Sequence, residues 1–289
     1  NETCANIGAG MFNYRMFMLT GDAKYADWTE RMIYNTLNSG VDLKGERWFY
    51  CNPISWDGTP GETKYVKRGD TLSWVPGHHT GVRWEVNNCY CCPPSVARTT
   101  AKLHNWFYNI SDDGALWVNF YGGSKLATTL PDGSKIGLSQ TTDYPWDGRI
   151  TIEIDQVSSK PLSIRFRIPS WVESPTVSLN SRTYDTDIAP GTYLEIRRNW
   201  SVGDTVALNF PMPVRLMAAN PKVTKLRERV AVMRGPIVYC MELPKQEGGE
   251  AISRNGLFVP EDIQLTAEHR EGFLGGVTVL GGDLLGARP

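Results

Sequence analysis

The sequence predicts an α plus β protein of more than one domain, in which a helical segment is followed by antiparallel β-sandwich domains. Apolar residues recur at helical spacing in the first part of the chain, up to about residue 110. After Ala115, short runs alternate between apolar and polar residues instead. The chain has 289 residues, of which 41% are hydrophobic and 21% are charged, which is ordinary for a globular protein of this length.

Two helices near the start of the chain are predicted to form an αα-hairpin. The first helix covers about residues 6–19, and Gly21 can end it in a left-handed conformation. Asp22 can cap the second helix, which continues towards Gly40. The large apolar side chains of both helices are expected to lie in the core: Ile7, Met11, Tyr14, Phe17, Met18, Tyr25, Trp28, Met32, Ile33 and Leu37.

Residues 41–90 are irregular and rich in glycine and proline, which is typical of a functional segment within a compact domain. Residues 48–50 are a short strand candidate. His78 and His79 lie in a Pro-Gly-His-His-Thr-Gly loop, where they could line a cleft, join a metal site or be solvated. Helical periodicity returns over residues 93–109.

The second half of the chain is predicted to consist of short strands. Turn residues such as Asp113-Gly114 and Gly203-Asp204 separate runs with a period of two, which indicates an antiparallel β-sandwich. The predicted strands are residues 116–120, 150–154, 162–166, 176–179, 193–196 and 205–210, with a second β unit at residues 230–233 and 237–240. The predicted domains are residues 1–110, 111–213 and 214–289.

A metal site is predicted from the clustering of cysteines. Four of the six cysteines fall within two short segments, residues 2–4 and residues 89–94. Zinc takes thiolate and carboxylate ligands in a tetrahedral set, and a proline pair after the second segment suits a rigid helix entrance. Core packing of thiols and a disulfide network are the alternatives, because the spacing is not a double CxxC. The candidate ligands of Zn²⁺ are Glu2, Cys4, Cys91 and Cys92.

Several segments follow one another in an order shared with a known family. They are Glu2-Thr3-Cys4, residues 49–53 (Phe-Tyr-Cys-Asn-Pro), residues 91–98 (Cys-Cys-Pro-Pro-Ser-Val-Ala-Arg), residues 167–171, residues 211–215 and residues 234–240. In these segments the sequence resembles glycoside hydrolase family 127 and its relative family 146, which include non-reducing-end β-L-arabinofuranosidases. The resemblance implies that the helical segment is the C-terminal part of an (α/α)6 barrel, and that the chain is a fragment of a longer enzyme.

The resemblance also implies a mechanism and a substrate. In the family a zinc-bound cysteine is the nucleophile of a retaining glycosidase, and this cysteine matches Cys91. Tyr50 matches a tyrosine that contacts the substrate sugar. The expected substrate is an oligosaccharide or glycoprotein glycan that ends in β-L-arabinofuranose or a related furanosidic sugar. The residues that match the remaining zinc ligands are Glu2, Cys4 and Cys92.

The sequence departs from the family at some points. The acid/base glutamate of the family would lie before residue 1, so this chain alone is expected to be a poor or inactive catalyst. Glu85 is the one nearby substitute, although a solvated loop glutamate is the simpler interpretation. Ser95 stands where the family commonly has asparagine, and its hydroxyl can also cap a helix. Three thiols have no assigned role: Cys51, Cys89, which could replace a neighbouring ligand, and Cys240.

Charge and composition exclude some functions and leave others open. The net charge of -1 offers no electrostatic case for nucleic acid or an anionic membrane as a partner. A homo-oligomer stays open, and so does localisation, for which thiolate ligands slightly favour the cytoplasm. The rival to an enzyme is a non-catalytic carbohydrate-binding or structural module, in which zinc joins the helical segment to the sandwich.

Overall fold

The computed structural model describes residues 2–51, 54, 65–68, 71–74, 83, 90–158, 160–242 and 257–286. The chain divides into two compact units, Asn1–Phe210 and Pro211–Pro289. The first unit contains helices and two larger sheets, and the second contains small antiparallel sheets. This arrangement confirms the predicted α plus β class.

The helical segment begins with the predicted hairpin. Gly21 has a φ of 66°, and its N–H donates to the carbonyl oxygen of Phe17 at 2.7 Å. The Asp22 carboxylate accepts a hydrogen bond from the backbone N–H of Lys24 at 3.0 Å, so this residue caps the second helix as predicted. The helices are α1 (Thr3–Thr20), α2 (Ala23–Arg31), a π-helical segment (Met32–Leu37), α3 (Cys92–Lys102) and α4 (His104–Phe107).

Two local predictions in this segment are wrong, and one feature of the confirmed second helix was not predicted. The π-helical segment continues α2 without a break, and the 3.6-residue period did not reveal it. The predicted helix over residues 93–109 gives way to a strand at Tyr108, which pairs in antiparallel register with Val118. Pairing with neighbouring strands therefore overrides local helix preference there. Residues 48–50 form no strand, and Trp48 makes only an isolated bridge to Val41.

The helical core contains most of the predicted residues. Met18 and Trp28 are exceptions, because they are 52% and 56% exposed. The expectation that these two side chains are buried is wrong, since no described element covers the sides of the helices on which they lie. The buried cluster consists of Ile7, Tyr14, Phe17, Ala26, Met32, Ile33, Leu37, Val96, Trp106 and Phe120.

Two sheets make up the rest of the first unit. Their strands are β3 (Tyr108–Ile110), β4 (Leu116–Val118), β5 (Ser124–Thr129), β6 (Lys135–Thr142), β7 (Arg149–Val157), β8 (Pro161–Ile168), β9 (Thr176–Leu179), β10 (Arg182–Thr183), β11 (Thr192–Asn199) and β12 (Thr205–Asn209). The six-stranded sheet has the order β10-β9-β12-β7-β6-β5, and the four-stranded sheet has the order β11-β8-β4-β3. A separate hairpin is formed by β1 (Tyr65–Arg68) and β2 (Thr71–Trp74).

Period-two burial explains why these segments form strands. Ile150, Ile152 and Ile154 are buried along β7, while the residues between them are exposed. One face of the six-stranded sheet is thus covered at β7, as in a β-sandwich. The pairing of β4 with β8 is parallel rather than antiparallel, because the chain passes through the other sheet between them. Strands β5 and β6 were not predicted, since the short polar run of β5 has no strong alternation.

The second unit contains a three-stranded sheet and two hairpins. The strands are β13 (Val214–Ala218), β14 (Val230–Arg234), β15 (Ile237–Tyr239), β16 (Leu257–Phe258), β17 (Thr266–Arg270), β18 (Val277–Gly281) and β19 (Leu285–Gly286), with a 3-10 turn at Thr224–Leu226. The predicted strands at residues 230–233 and 237–240 are confirmed within one residue. None of the helices in the described ranges is long and apolar enough to cross a membrane.

Candidate metal centre

The first turn of α1 is fastened to the segment that follows the hairpin. The Thr3 backbone N–H donates to the carbonyl oxygen of Tyr50 at 2.8 Å, and the Thr3 hydroxyl donates to the carbonyl oxygen of Phe49 at 2.9 Å. Glu2 forms an isolated antiparallel bridge with Cys51. These contacts fix the positions from which Glu2 and the next helical turn present their side chains.

The second set of candidate ligands lies at the entrance of α3. Cys91 is the N-cap residue, and the proline pair occupies the first helical positions, as the sequence predicted. The Cys92 sulfur lies 3.7 Å from the carbonyl oxygen of Tyr50, so the same segment contacts both helix entrances. Ser95 does not cap the helix. It lies buried inside α3, where its hydroxyl accepts a hydrogen bond from Arg98 at 2.9 Å.

The two helix entrances bring three thiols and a carboxylate together. The Cys4 and Cys91 sulfurs are 3.2 Å apart, and the Cys91 and Cys92 sulfurs are 3.5 Å apart. One ligand atom from each of these three residues lies within 4.8 Å of the others. The Glu2 Oε2 atom is 3.4 Å from the Cys4 sulfur. The three thiols therefore meet in one place, with Glu2 beside Cys4, although 87 residues separate Cys4 from Cys91.

The spacing of these atoms fits a tetrahedral zinc ion. With Zn–S bonds of about 2.3 Å, two thiolates on one ion lie about 3.8 Å apart, and a thiolate and a carboxylate oxygen lie about 3.5 Å apart. The observed separations of 3.2, 3.5 and 3.4 Å are within a few tenths of an ångström to about half an ångström of these values. The three cysteines can hold a metal ion, whereas Glu2 lies beside Cys4 and would have to move closer to the other two thiols to complete a tetrahedron.

Tyr50 lies at the site through the Glu2 carboxylate. Its hydroxyl donates to Glu2 Oε1 at 2.5 Å, while the other carboxylate oxygen faces the Cys4 sulfur. The hydrogen bond fixes which oxygen is turned towards the thiols. The resemblance suggested only a contact between this tyrosine and the sugar, so sequence reasoning missed the bond to Glu2. The one sequence signal for this hydrogen bond is the position of Tyr50 directly before Cys51.

Burial differs among the thiols. Cys92 is 1% exposed, whereas Cys4 and Cys91 are half-buried. Burial raises the pKa of the Cys92 thiol to about 11 and also raises the pKa of Cys51. A bound cation reverses this preference, because its charge favours the thiolate. The half-buried Cys91 sulfur is the more accessible one of the adjacent pair.

Other candidate residues have different positions. No disulfide joins the described cysteines, since Cys4, Cys51, Cys91, Cys92 and Cys240 are free thiols. The disulfide alternative is thus not supported in the described part of the chain. Cys51 lies beside Glu2, and Cys240 is exposed in the second unit. Four further candidates lie outside the described residues: His78, His79, Glu85 and Cys89.

A second buried polar cluster was not predicted. Arg167 is fully buried, and its guanidinium donates to Asp27 and Glu30 of α2 and to the backbone carbonyl of Asn119. The sequence signature at residues 167–171 contains this arginine but does not indicate its partners. The cluster attaches the helical hairpin to the four-stranded sheet.

Comparisons with known proteins agree with this architecture. Consecutive domain profiles match residues 1–105 (β-L-arabinofuranosidase, GH127 catalytic domain), residues 115–212 (GH127 middle domain) and residues 214–269 (glycoside hydrolase family 127 C-terminal domain). They describe a protein of the glycoside hydrolase class. The chain belongs to glycoside hydrolase family 127, and it covers part of the length of the relatives below.

Individual relatives support the same assignment. The non-reducing end β-L-arabinofuranosidase of Bifidobacterium longum subsp. longum is 31% identical over 250 residues, which are 83% of this chain and 35% of that protein. The solved structure of a GH127 β-L-arabinofuranosidase from Geobacillus stearothermophilus is 36% identical, with a TM-score of 0.81 over 97% of this chain and 42% of that one. A solved glycoside hydrolase is 34% identical, with a TM-score of 0.86 over 100% of this chain and 45% of that one. The chain thus spans less than half the length of these relatives.

Proposed function

We propose that this chain is part of a zinc-dependent retaining glycoside hydrolase that releases terminal β-L-arabinofuranose, or a related furanosidic sugar, from oligosaccharide or glycoprotein glycans. The observation that carries the proposal is the convergence of Cys4, Cys91 and Cys92 beside Glu2, in a chain of family 127. In this proposal the zinc ligands are Glu2, Cys4, Cys91 and Cys92, and Cys91 is also the nucleophile.

The proposed fold places the helical hairpin in a larger helical body. Residues 1–110 form the C-terminal part of an (α/α)6 barrel, and residues 111–213 and 214–289 form two β-sandwich domains. The hairpin of α1 and α2 supports the first part, because paired antiparallel helices are the unit from which such barrels are built.

The chemistry assigned to Cys91 follows from its exposure and its neighbours. Its sulfur is half-buried at a helix entrance, where an incoming sugar can reach it more easily than the buried Cys92 sulfur. Zinc at this site would keep the cysteine sulfurs deprotonated at neutral pH. The Cys91 thiolate then attacks the anomeric carbon, a C–S bond forms, and the C–O bond to the leaving group breaks.

Two proton transfers complete the reaction, one to the leaving oxygen and one from water. The leaving oxygen takes a proton from a general acid as the C–O bond breaks, and the resulting base then removes a proton from water. That water attacks the anomeric carbon, the C–S bond breaks, and the thiolate of Cys91 is restored. Two displacements at one carbon leave the sugar with its original anomeric configuration.

Tyr50 contributes to the order of the site in this proposal. Its hydrogen bond to Glu2 Oε1 holds the carboxylate so that the other oxygen faces the thiols. The resemblance adds a contact between the same tyrosine and the substrate sugar. Because the Tyr50 phenol lies beside the proposed ligands, it can both hold the Glu2 carboxylate and contact the sugar.

A structural zinc site in a non-catalytic module is the second candidate. It is favoured by the number of ligands, because four protein ligands fill a tetrahedron and leave no open position. The half-buried state of Cys4 and Cys91 favours the enzyme, since a structural site usually encloses all its thiolates.

Metal analysis and thiol labelling test the proposal together. We expect about one zinc per chain in the wild-type protein and in Cys240→Ser, and much less in Cys91→Ser. An electrophilic analogue of β-L-arabinofuranose should label Cys91 alone, as read by peptide mass spectrometry. Absence of bound metal with equal labelling of all six cysteines would contradict the proposal. Bound zinc without selective labelling would favour the structural role.

A further inference from the structure

Three turns of the first unit meet around a cleft. One turn joins β3 to β4, the second joins β5 to β6, and the third joins β7 to β8, so both larger sheets contribute to its walls. The cleft has a volume of about 250 Å³. We call it the turn cleft, and its charged lining residues are Asp113, Asp132, Lys135, Lys160, Glu195 and Arg197.

The turn cleft has a small apolar floor and a charged rim. Ala115, Leu130 and Leu162 line it as buried residues, whereas all six charged side chains are exposed. Three of the six are acidic and three are basic, so the rim has no net charge to attract an anion or a cation. The volume is below the roughly 300 Å³ at which pockets for drug-sized ligands begin. A small, neutral and polar ligand fits this cleft.

Two carboxylates of the rim are held in place by hydrogen bonds. Asp132 accepts a hydrogen bond from the Lys160 ammonium at 2.6 Å. Glu195 accepts from the Ser163 hydroxyl at 2.6 Å and from the Arg165 guanidinium at 2.9 Å. Side chains that are already fixed lose little conformational entropy when a ligand binds. The rim is therefore ordered in advance for a ligand with several hydrogen-bonding groups.

The chemistry of the rim matches the hydroxyl groups of a sugar. A hydroxyl both donates and accepts, a carboxylate has about four acceptor positions, and an ammonium has three N–H donors. Neighbouring hydroxyls of one sugar can thus donate to Asp132 and accept from Lys160, in charge-assisted hydrogen bonds that are stronger than neutral ones. None of the described lining residues is aromatic, so the cleft lacks a ring on which a flat six-membered sugar could stack. A five-membered ring bound through its hydroxyls fits better.

The helix α1 separates the turn cleft from the candidate metal centre. Cys4 lies in its first turn, and a helix of 18 residues is about 27 Å long. Beyond its other end, a Cβ atom added at Gly21 would lie 3.3 Å from the Trp117 ring. Arg165 lies over this ring, 4.8 Å from its centroid, and donates to Asp113 of the cleft at 2.7 Å. A single sugar in the turn cleft is therefore too far away to touch the thiols.

We propose that the turn cleft is a second carbohydrate-binding site, which holds one furanose residue of a glycan at the opposite end of α1 from the candidate metal centre. The chemistry of the cleft itself carries the assignment of a sugar-sized polyhydroxyl ligand. The choice of arabinofuranose as that ligand also rests on the proposed function. Such a site would raise the affinity for long or branched glycans, because one bound residue increases the effective concentration of the others.

Binding of a simple furanoside tests the proposal. The probe is methyl α-L-arabinofuranoside, the anomer that a β-specific hydrolase leaves intact, and saturation-transfer NMR measures its dissociation constant, which we expect in the millimolar range. Lys160→Met should weaken binding about tenfold or more, because a charge-assisted donor is lost. Lys24→Met is the matched control, since Lys24 forms an equally exposed ion pair with Asp22 at 2.6 Å. No binding, or equal binding to both variants, overturns the proposal.

A second variant guards against a folding defect in the first. Glu195→Gln keeps the size of the side chain and one acceptor oxygen, and it should also weaken binding while the melting temperature stays close to that of the wild type. Unchanged binding in this variant contradicts the role of the rim. Sodium sulfate and calcium chloride are the ionic probes, and displacement of the sugar by either one at equal concentration would show an ion site instead.

Removal of zinc separates this proposal from the proposed function. Treatment with a chelator should leave furanoside binding unchanged, because the turn cleft contains none of the proposed zinc ligands. Loss of binding on chelation would place the sugar at the metal centre and overturn the second site. Failure of the chain to bind zinc, by contrast, would contradict the proposed function and leave the result for the turn cleft intact.

Discussion

Two polar clusters in the first unit join groups from distant parts of the sequence, and their charges are balanced in opposite ways. Around Arg167, a single buried cation meets the carboxylates of Asp27 and Glu30. Around Cys91, the neighbouring groups are thiols and the carboxylate of Glu2, all of which are neutral or negative. The cluster around Arg167 contains both positive and negative groups, whereas the cluster around Cys91 contains only groups that are neutral or negative.

The cluster around Arg167 satisfies its own hydrogen-bonding groups. Glu30 accepts from the Tyr144 hydroxyl at 2.6 Å and from the Trp171 indole N–H at 3.2 Å, in addition to the guanidinium. Asp27 accepts from the backbone N–H of Ser170 at 3.1 Å. Buried charges with this many partners are characteristic of a structural attachment.

The difference teaches how a structural cluster can be told from a ligand site. A buried cluster that contains its own counter-charge is complete, and its role is to hold elements together. Thiols and a carboxylate at tetrahedral spacing repel one another when they ionise, and a cation removes that repulsion. The arrangement of like groups, rather than burial alone, therefore indicates a candidate metal site.

The largest expected effect comes from breaking the complete cluster. Arg167→Ala leaves Asp27 and Glu30 as buried carboxylates without a cation, so the free energy of unfolding should fall by about 3–5 kcal/mol. Urea unfolding followed by circular dichroism measures it. The matched control is Arg149→Ala, because Arg149 pairs with Asp147 at the surface and should affect stability little. Similar losses in both variants would show that the buried cluster is not a structural attachment.

Removing a thiol from the other cluster should affect metal binding more than folding. Cys92→Ser replaces a buried sulfur that we propose as a zinc ligand, and we expect the affinity for zinc to fall more than about a hundredfold, beyond the effect of an outer-sphere change. Competition with a chromophoric chelator measures the affinity. Cys240→Ser, in the exposed part of the second unit, is the control and should bind as the wild type does. Unchanged affinity in Cys92→Ser would remove this residue from the ligand set.

A smaller effect is expected from the hydrogen bond that orients the carboxylate. Tyr50→Phe removes the donor to Glu2 but leaves all four ligands, so zinc affinity should fall about tenfold while the stoichiometry stays the same. The same competition assay applies. Tyr90→Phe is a suitable control, because Tyr90 is exposed and lies next to the cysteine pair. A loss of stoichiometry, or equal affinities in both variants, would contradict the positioning role.

The smallest effect extends the comparison to an exposed ion pair. Hydrogen bonds from Ser111 and Arg165 lower the pKa of Asp113 to about 2. A lowered pKa means that this carboxylate stabilises the fold above its ordinary pKa of 3.8, and that the contribution disappears as the pH falls towards about 2. Because the pair is exposed, the contribution should stay below about 1 kcal/mol.

Asp113→Asn measures this contribution directly. The difference in urea midpoint between the wild type and the variant should be small at neutral pH, and it should shrink as the pH falls through the window between 3.8 and about 2. A difference that grows on acidification would show that the sign of the effect is wrong.

The sequence by itself determined features that depend on neighbouring residues. Gly21 and Asp22 mark the turn of the hairpin because helix ends require particular backbone and capping chemistry. The strands of the sheets follow from period-two alternation, as in β7. The candidate ligands could also be chosen from the sequence, since four of the six cysteines fall within two short segments, one of which ends in a proline pair.

Only the tertiary structure decided what depends on distant contacts. It ended the predicted helix over residues 93–109 at Tyr108, because strand pairing outweighs helical preference there. It paired Arg167 with Asp27 and Glu30, which lie about 140 residues earlier in the chain. It also turned Tyr50 towards Glu2 and, within the part of the chain that the structure describes, left Phe12 and Leu19 of α1 exposed. No local pattern encodes these contacts, because each is set by the packing of elements that the sequence separates.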